Sequence, residues 1–181
     1  MSEPSKKKPL LTLFLVGLCL LLGLPALYYF TNSQLVDFDP DAKLMDAAVD
    51  KNFKPELKLA LQQKFGDVNG TAFHFTQAGC FCHLVAENHV SQVKNQISSE
   101  GHKNVQVALE DYPELVRFLP STPAVIIFND AGNFMYLGPY STGYLCMPGN
   151  GLVEELIPRM SKNTGDEVVM SLANGCYCQI D

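Results

Sequence analysis

The chain has 181 residues, which suits one globular domain with room for little else. Its hydrophobic content of 47% is that of a packed protein, and its formal net charge is −6. Residues 1–30 carry three lysines and one glutamate, net +2, so residues 31–181 carry −8. An acidic chain without a basic stripe excludes nucleic acid as a partner.

Residues 10–30 read LLTLFLVGLCLLLGLPALYYF, 21 residues without a charge. As a helix this stretch rises about 31 Å, enough to cross a hydrocarbon core of ~30 Å. Lys6, Lys7 and Lys8 precede it, and Tyr28 and Tyr29 sit at its far end. Lysines are retained on the cytoplasmic side, and tyrosines suit the opposite interface. A cleaved signal peptide has the same basic start, but this run is long for its apolar core. Leu24-Pro25-Ala26 is also a weak cleavage site. The expectation is an uncleaved, single-pass anchor in the cytoplasmic (inner) membrane, with residues 1–9 in the cytoplasm and the remainder in the periplasm. Cys19 lies inside the apolar run, as a small lipid-facing or packing residue.

Residues 31–66 read as a tether followed by helix, in one piece or two. Pro55 fits a first helical turn and Glu56 its positive dipole end. Leu57, Ala60, Leu61 and Phe65 form one apolar face, and Gly66 stops the helix. Asp67-Val68-Asn69-Gly70 is a turn, and TAFHFT, residues 71–76, reads as a strand. From Cys80 the period changes. Ala86, Val90, Val93 and Ile97 make one helical stripe, which Gly101 ends. NVQVAL, residues 104–109, is a second strand, and residues 113–119 form a short helix or turn. AVIIF, residues 124–128, is a buried strand whose hairpin partner spans residues 134–137. A glycine-rich loop over 138–151 leads to a predicted helix at 152–160, weakened by Pro158. EVVMSL, residues 167–172, is a last strand. Residues 67–181 therefore read as one α/β domain, a mixed sheet with flanking helices.

In this order Cys80 follows a strand and opens a helix. Ser121-Thr122-Pro123 stands directly before AVIIF, and a Gly-rich turn follows the hairpin. On these residues the chain resembles the thioredoxin-like fold over about half its length. With the apolar N-terminal helix and a terminal GCYC, it resembles a membrane-anchored bacterial thioredoxin-fold family of undetermined function. The resemblance implies an attacking cysteine at Cys80 and a cis-proline at Pro123, shaping a substrate groove beside it. The chain departs from the family's Cys-x-x-Cys pattern. It carries Cys80-Phe81-Cys82, has no tryptophan, and places His83 where the second cysteine would stand.

The residues themselves carry a second message. Gly-Cys-aromatic-Cys occurs at 79–82 and again at 175–178. Free amides at a helix start lower a thiol's pKa, so Cys80 is expected to be the exposed nucleophile. Cys82, on the buried stripe, is expected to be the shielded resolving thiol. A bond between cysteines two apart closes a small ring, which favours an oxidising disulfide. His83 could tune these thiols or bind a metal, whereas His74 reads as an ordinary strand residue and His89 and His102 as surface residues. If EVVMSL pairs parallel to the hairpin's second strand, it returns to the edge that holds Cys80. Cys176 and Cys178 then join Cys80, Cys82 and Cys146 there. Three functions fit. The first is a thiol–disulfide oxidoreductase or isomerase acting on extracytoplasmic protein thiols or disulfides without a cofactor, with Cys176, Cys178 and Cys146 as accessory redox groups. The second is a copper or zinc site formed by Cys80, Cys82, Cys176, Cys178 and His83. The third is a scaffold pinned by structural disulfides.

Overall fold

The structure, a computed structural model, describes residues 7–32, 35–143, 151–162 and 167–180. The chain divides into two units, residues 1–34 and 35–181. The first holds one helix, α1 (Lys7–Asn32), with Pro25 in its interior. Its stretch Leu11–Tyr29 is long and apolar enough to cross a membrane, and none of it is buried against protein.

The second unit is a mixed α/β domain. It opens with a two-residue strand, β1 (Val36–Asp37), and two helices, α2 (Lys43–Val49) and α3 (Phe53–Phe65). The helical region expected over 41–66 is thus in two pieces, with Gly66 just past its end in a left-handed backbone, φ 80°. Leu57 and Leu61 are fully buried, while Ala60 and Phe65 pack partly buried beside them. There follow β2 (Thr71–Thr76), α4 (Phe81–Ser99) and β3 (Lys103–Ala108). A 3-10 turn (Pro113–Phe118) leads to β4 (Ser121–Thr122), β5 (Ala124–Phe128) and β6 (Phe134–Gly138). The last strands are short: β7 (Val168–Val169), β8 (Asn174–Gly175) and β9 (Cys178–Gln179). The helix expected over 152–160 is reduced to turns and a 3-10 segment (Ile157–Arg159). Pro158 lacks the amide that an α-helix would use there.

Five strands form the central sheet in the order β3-β2-β5-β6-β7. The α4 crossover makes β2 and β3 parallel, β5 runs antiparallel to both its neighbours, and β6 and β7 are parallel. Period-two alternation divides the core. Phe73, Phe75, Ile126 and Phe128 join Leu57 and Leu61 on the α3 face. Ala72, Val125 and Ile127 join Ala86, Val90, Val93 and Ile97 on the α4 face. Both faces of β5 are therefore covered, which is why its sequence is apolar without a break.

Three buried histidines of the domain each meet a polar partner. His74 is buried, with Nδ1 2.5 Å from the Tyr140 hydroxyl and Nε2 2.7 Å from Asn104 Oδ1. It is the hub of a network joining β2, β3 and the loop after β6, not an ordinary strand residue. His89 and His102, expected at the surface, are also buried. His89 Nε2 meets Glu154 Oε1 at 2.6 Å, and His102 Nδ1 meets Asp130 Oδ1 at 3.1 Å. Each partner is remote in sequence, so the periodicity around the histidine carries no sign of it.

Burial lowers the His74 pKa to about 4, the Asn104 hydrogen bond opposes this, and nearby Lys94 adds to the lowering. Above pH 6.5 the imidazole is neutral folded or unfolded. As pH falls from 6.5 to 4, the unfolded chain gains a proton that the fold refuses. Stability should decrease by about 3 kcal/mol across that window. Urea unfolding at pH 7 and pH 4 checks this, and His74→Gln should flatten that part of the dependence.

Candidate functional site

The sheet directions bring the site together. β2 ends at Thr76, and a short connection over residues 77–80 leads into α4. β5 runs antiparallel to β2, with Ala124 opposite Phe75, so β4 and Pro123 lie at that same edge. The Thr122–Pro123 peptide is cis. β6 returns to the edge, with Gly138 opposite Val125, and β7 runs beside it in the same direction. From β7 the chain continues through β8, which pairs with β1, to Cys176. It ends in β9, which pairs antiparallel with β4: Thr122 lies opposite Cys178, and Ser121 opposite Gln179.

All four motif cysteines meet at this edge, as two disulfides. Cys80 bonds Cys178 and Cys82 bonds Cys176, with Cα–Cα distances of 5.7 and 5.3 Å. The expected Cys80–Cys82 bond is therefore not the one formed. Local geometry explains the choice. Near a helix start, side chains two apart point to different sides of the axis, so these two sulfurs diverge. Cys176 and Cys178 lie between and at the start of two short strands, β8 and β9, and both of their sulfurs reach the start of α4.

The aromatic between each cysteine pair has a different role in each motif. Tyr177 points away from its neighbours and is buried, its ring edge-on to Phe38 at 5.2 Å. Its hydroxyl donates to the Ser141 carbonyl at 2.6 Å. The ring folds back over Gly175, where a Cβ would stand 2.6 Å from the tyrosine oxygen, so the glycine makes room for the tyrosine. Phe81, by contrast, is 63% exposed, and Leu84 one turn later is 65% exposed. Gly79 has φ 74°, a left-handed conformation that favours glycine and turns the chain into α4.

Cys80 is the N-cap of α4, in extended conformation and with no side-chain cap on the helix amides. Its sulfur lies 3.8 Å from the Thr122 carbonyl oxygen. In the disulfide it has no proton to donate, so this is a packing contact. Cys80 is buried, not exposed as the sequence led one to expect, because β9 covers it. Cys82 and Cys176 are also buried and form a small cluster with it, while Cys178 is half-buried. The Ala78 amide donates to the Glu110 carboxylate, holding its pKa below the usual range. Gln77 Nε2 donates to the Gln179 carbonyl at 3.3 Å. His83 is half-buried, and its Nδ1 has no hydrogen-bond partner. Cys146 lies outside the described residues.

Among the described residues, no group of three or more His, Cys, Asp and Glu is placed to hold a metal ion. The thiolates that copper(I) or zinc requires arise from Cys80, Cys82, Cys176 and Cys178 only on reduction of both bonds.

Fold and site together define a disulfide-bearing mixed α/β domain preceded by an apolar helix. The chain belongs to the family described as a domain of unknown function, DUF6436, whose model matches residues 50–180. No curated protein and no solved structure matches it.

Because the two bonds span nearly the same loop, 98 and 94 residues apart in sequence, their contributions overlap. Either one alone closes the long loop, and the second then closes only a small ring. Replacing Cys82 and Cys176 with alanine should cost far less than replacing all four cysteines. The fourfold change should cost about 4–5 kcal/mol of loop-closure entropy. Guanidinium unfolding of the three proteins measures the difference.

Proposed function

We propose that this protein is a membrane-anchored, extracytoplasmic thiol–disulfide exchange protein of the thioredoxin-like kind. Cys80 is its nucleophile and Cys178 its resolving cysteine. The observation that carries the reading is the position of the Cys80–Cys178 bond, at a helix N-terminus without a side-chain cap and against the Thr122 carbonyl, one residue before the cis proline Pro123. Released from the bond, a Cys80 thiolate would face the free amides and positive dipole end of α4, which lower a thiol's pKa. Cys82–Cys176, buried and anchored by Tyr177, is the bond that keeps the segment attached while the outer one opens. Phe81 and Leu84 give the surroundings an exposed apolar face suited to a protein substrate.

The exchange balances without a cofactor. The Cys80 thiolate attacks one sulfur of a partner disulfide. A Cys80–partner bond forms, and the partner's other sulfur leaves as a thiolate and takes a proton from solvent. The Cys178 thiolate then attacks Cys80 Sγ, closes Cys80–Cys178 and expels the partner's first sulfur. The protein dithiol is oxidised and the partner disulfide reduced; run backwards, the same steps oxidise a partner dithiol. The anchor reading rests on α1 with lysines at its start, and disulfides persist outside the cytoplasm.

With dithiothreitol supplied as the electron donor, full-length protein in detergent should speed the reduction of insulin disulfides, or in a glutathione buffer it should accelerate refolding of scrambled ribonuclease. Cys80→Ser should lower either activity to background. Activity that survives this change, or is absent in both assays, overturns the proposal.

A further inference from the structure

We infer that Cys178, Gln179 and Ile180 are a resident stand-in for the partner peptide. The site they occupy selects an extended chain with a large apolar residue two positions after its reactive cysteine. This inference rests on the exchange reading above and names its substrate class.

The three residues sit as a bound peptide would. Cys178 is in disulfide linkage to Cys80, opposite Thr122, and Gln179 lies opposite Ser121. The Ile180 amide donates to the Pro120 carbonyl at 3.0 Å, and Gln77 holds the Gln179 carbonyl. Most of these contacts are main-chain, the mode by which a strand is added to a sheet edge, and they do not depend on which sequence makes them. Sequence is read at the next position. Ile180 packs partly buried against the core, at the wall of a cavity of about 270 Å³. Leu44, Ala47, Val116 and Leu119 also line it, with Lys43 and Arg117 among its charged groups. The cavity remains open with isoleucine present, so a larger apolar side chain fits there.

The strand beneath the segment is imperfectly satisfied. β4 carries two buried hydroxyls, Ser121 Oγ and Thr122 Oγ1, without hydrogen-bond partners. While β9 is docked, Cys80 is covered, so partner and β9 exclude one another. Tyr177 and the Cys82–Cys176 bond hold the segment nearby for the resolving step.

The test uses full-length Cys178→Ser protein in detergent, which leaves Cys80 free. Two peptides, Ala-Tyr-Cys-Gln-Phe-Ala and Ala-Tyr-Cys-Gln-Gly-Ala, are supplied as mixed disulfides with glutathione, and their coupling to Cys80 is followed by mass spectrometry. The phenylalanine peptide should couple about tenfold faster, the scale set by burying part of one large apolar side chain. Equal rates overturn the apolar subsite and leave the exchange chemistry standing. Failure of both peptides and of free glutathione disulfide to couple overturns the exchange chemistry as well. A second variant, Ile180→Ala, keeps every cysteine. Its Cys80–Cys178 bond should be reduced by dithiothreitol about fivefold faster than in the parent protein, since less apolar surface holds β9 down. An unchanged rate overturns the role of Ile180.

Discussion

The arrangement depends on one covalent constraint, the double link between the start of α4 and the segment after β8. A short strand pairing such as β4–β9 offers few hydrogen bonds and would not hold the segment alone. The two disulfides fix it at the sheet edge where β2 ends and β5 begins. Everything local to the site follows: the burial of Cys80, the register of Gln179 on Ser121, and the seating of Ile180 at the core margin.

The division of labour inside the linked segments follows from backbone geometry. The helical start separates its two sulfurs, while the segment from β8 to β9 brings both of its sulfurs to α4 and seats Tyr177 against Phe38 and Ser141. One bond is consequently buried with both of its cysteines, and the other reaches a half-buried sulfur at Cys178. The same repeated letters, Gly-Cys-aromatic-Cys, produce two different local objects because one copy opens a helix and the other bends between two short strands.

Much of the frame is legible in the sequence. The TAFHFT and AVIIF strands have the bounds that alternation and apolar runs predict, and the stripe of Ala86, Val90, Val93 and Ile97 is the buried face of α4. The parallel return of the chain beside β6 follows from crossover handedness, though only Val168 and Val169 pair there. What local pattern does not carry is partnership over distance. His74, His89 and His102 look like polar residues until Tyr140, Glu154 and Asp130 are brought to them by the fold. The disulfide pairing was within reach of the helix rule for positions two apart. The closeness of Cys80 and Cys82 in sequence points to the pair that the helix keeps apart.

Tyr177 gives the site a pivot. Because its ring is seated against Phe38 and its hydroxyl is held by Ser141, motion following cleavage of the outer bond is confined to residues beyond it. The two central core layers need not loosen for the edge to open. The domain can thus pass through a covalently rearranged state in which only the peptide units around β9 change place, much as a hinged latch swings without disturbing its frame.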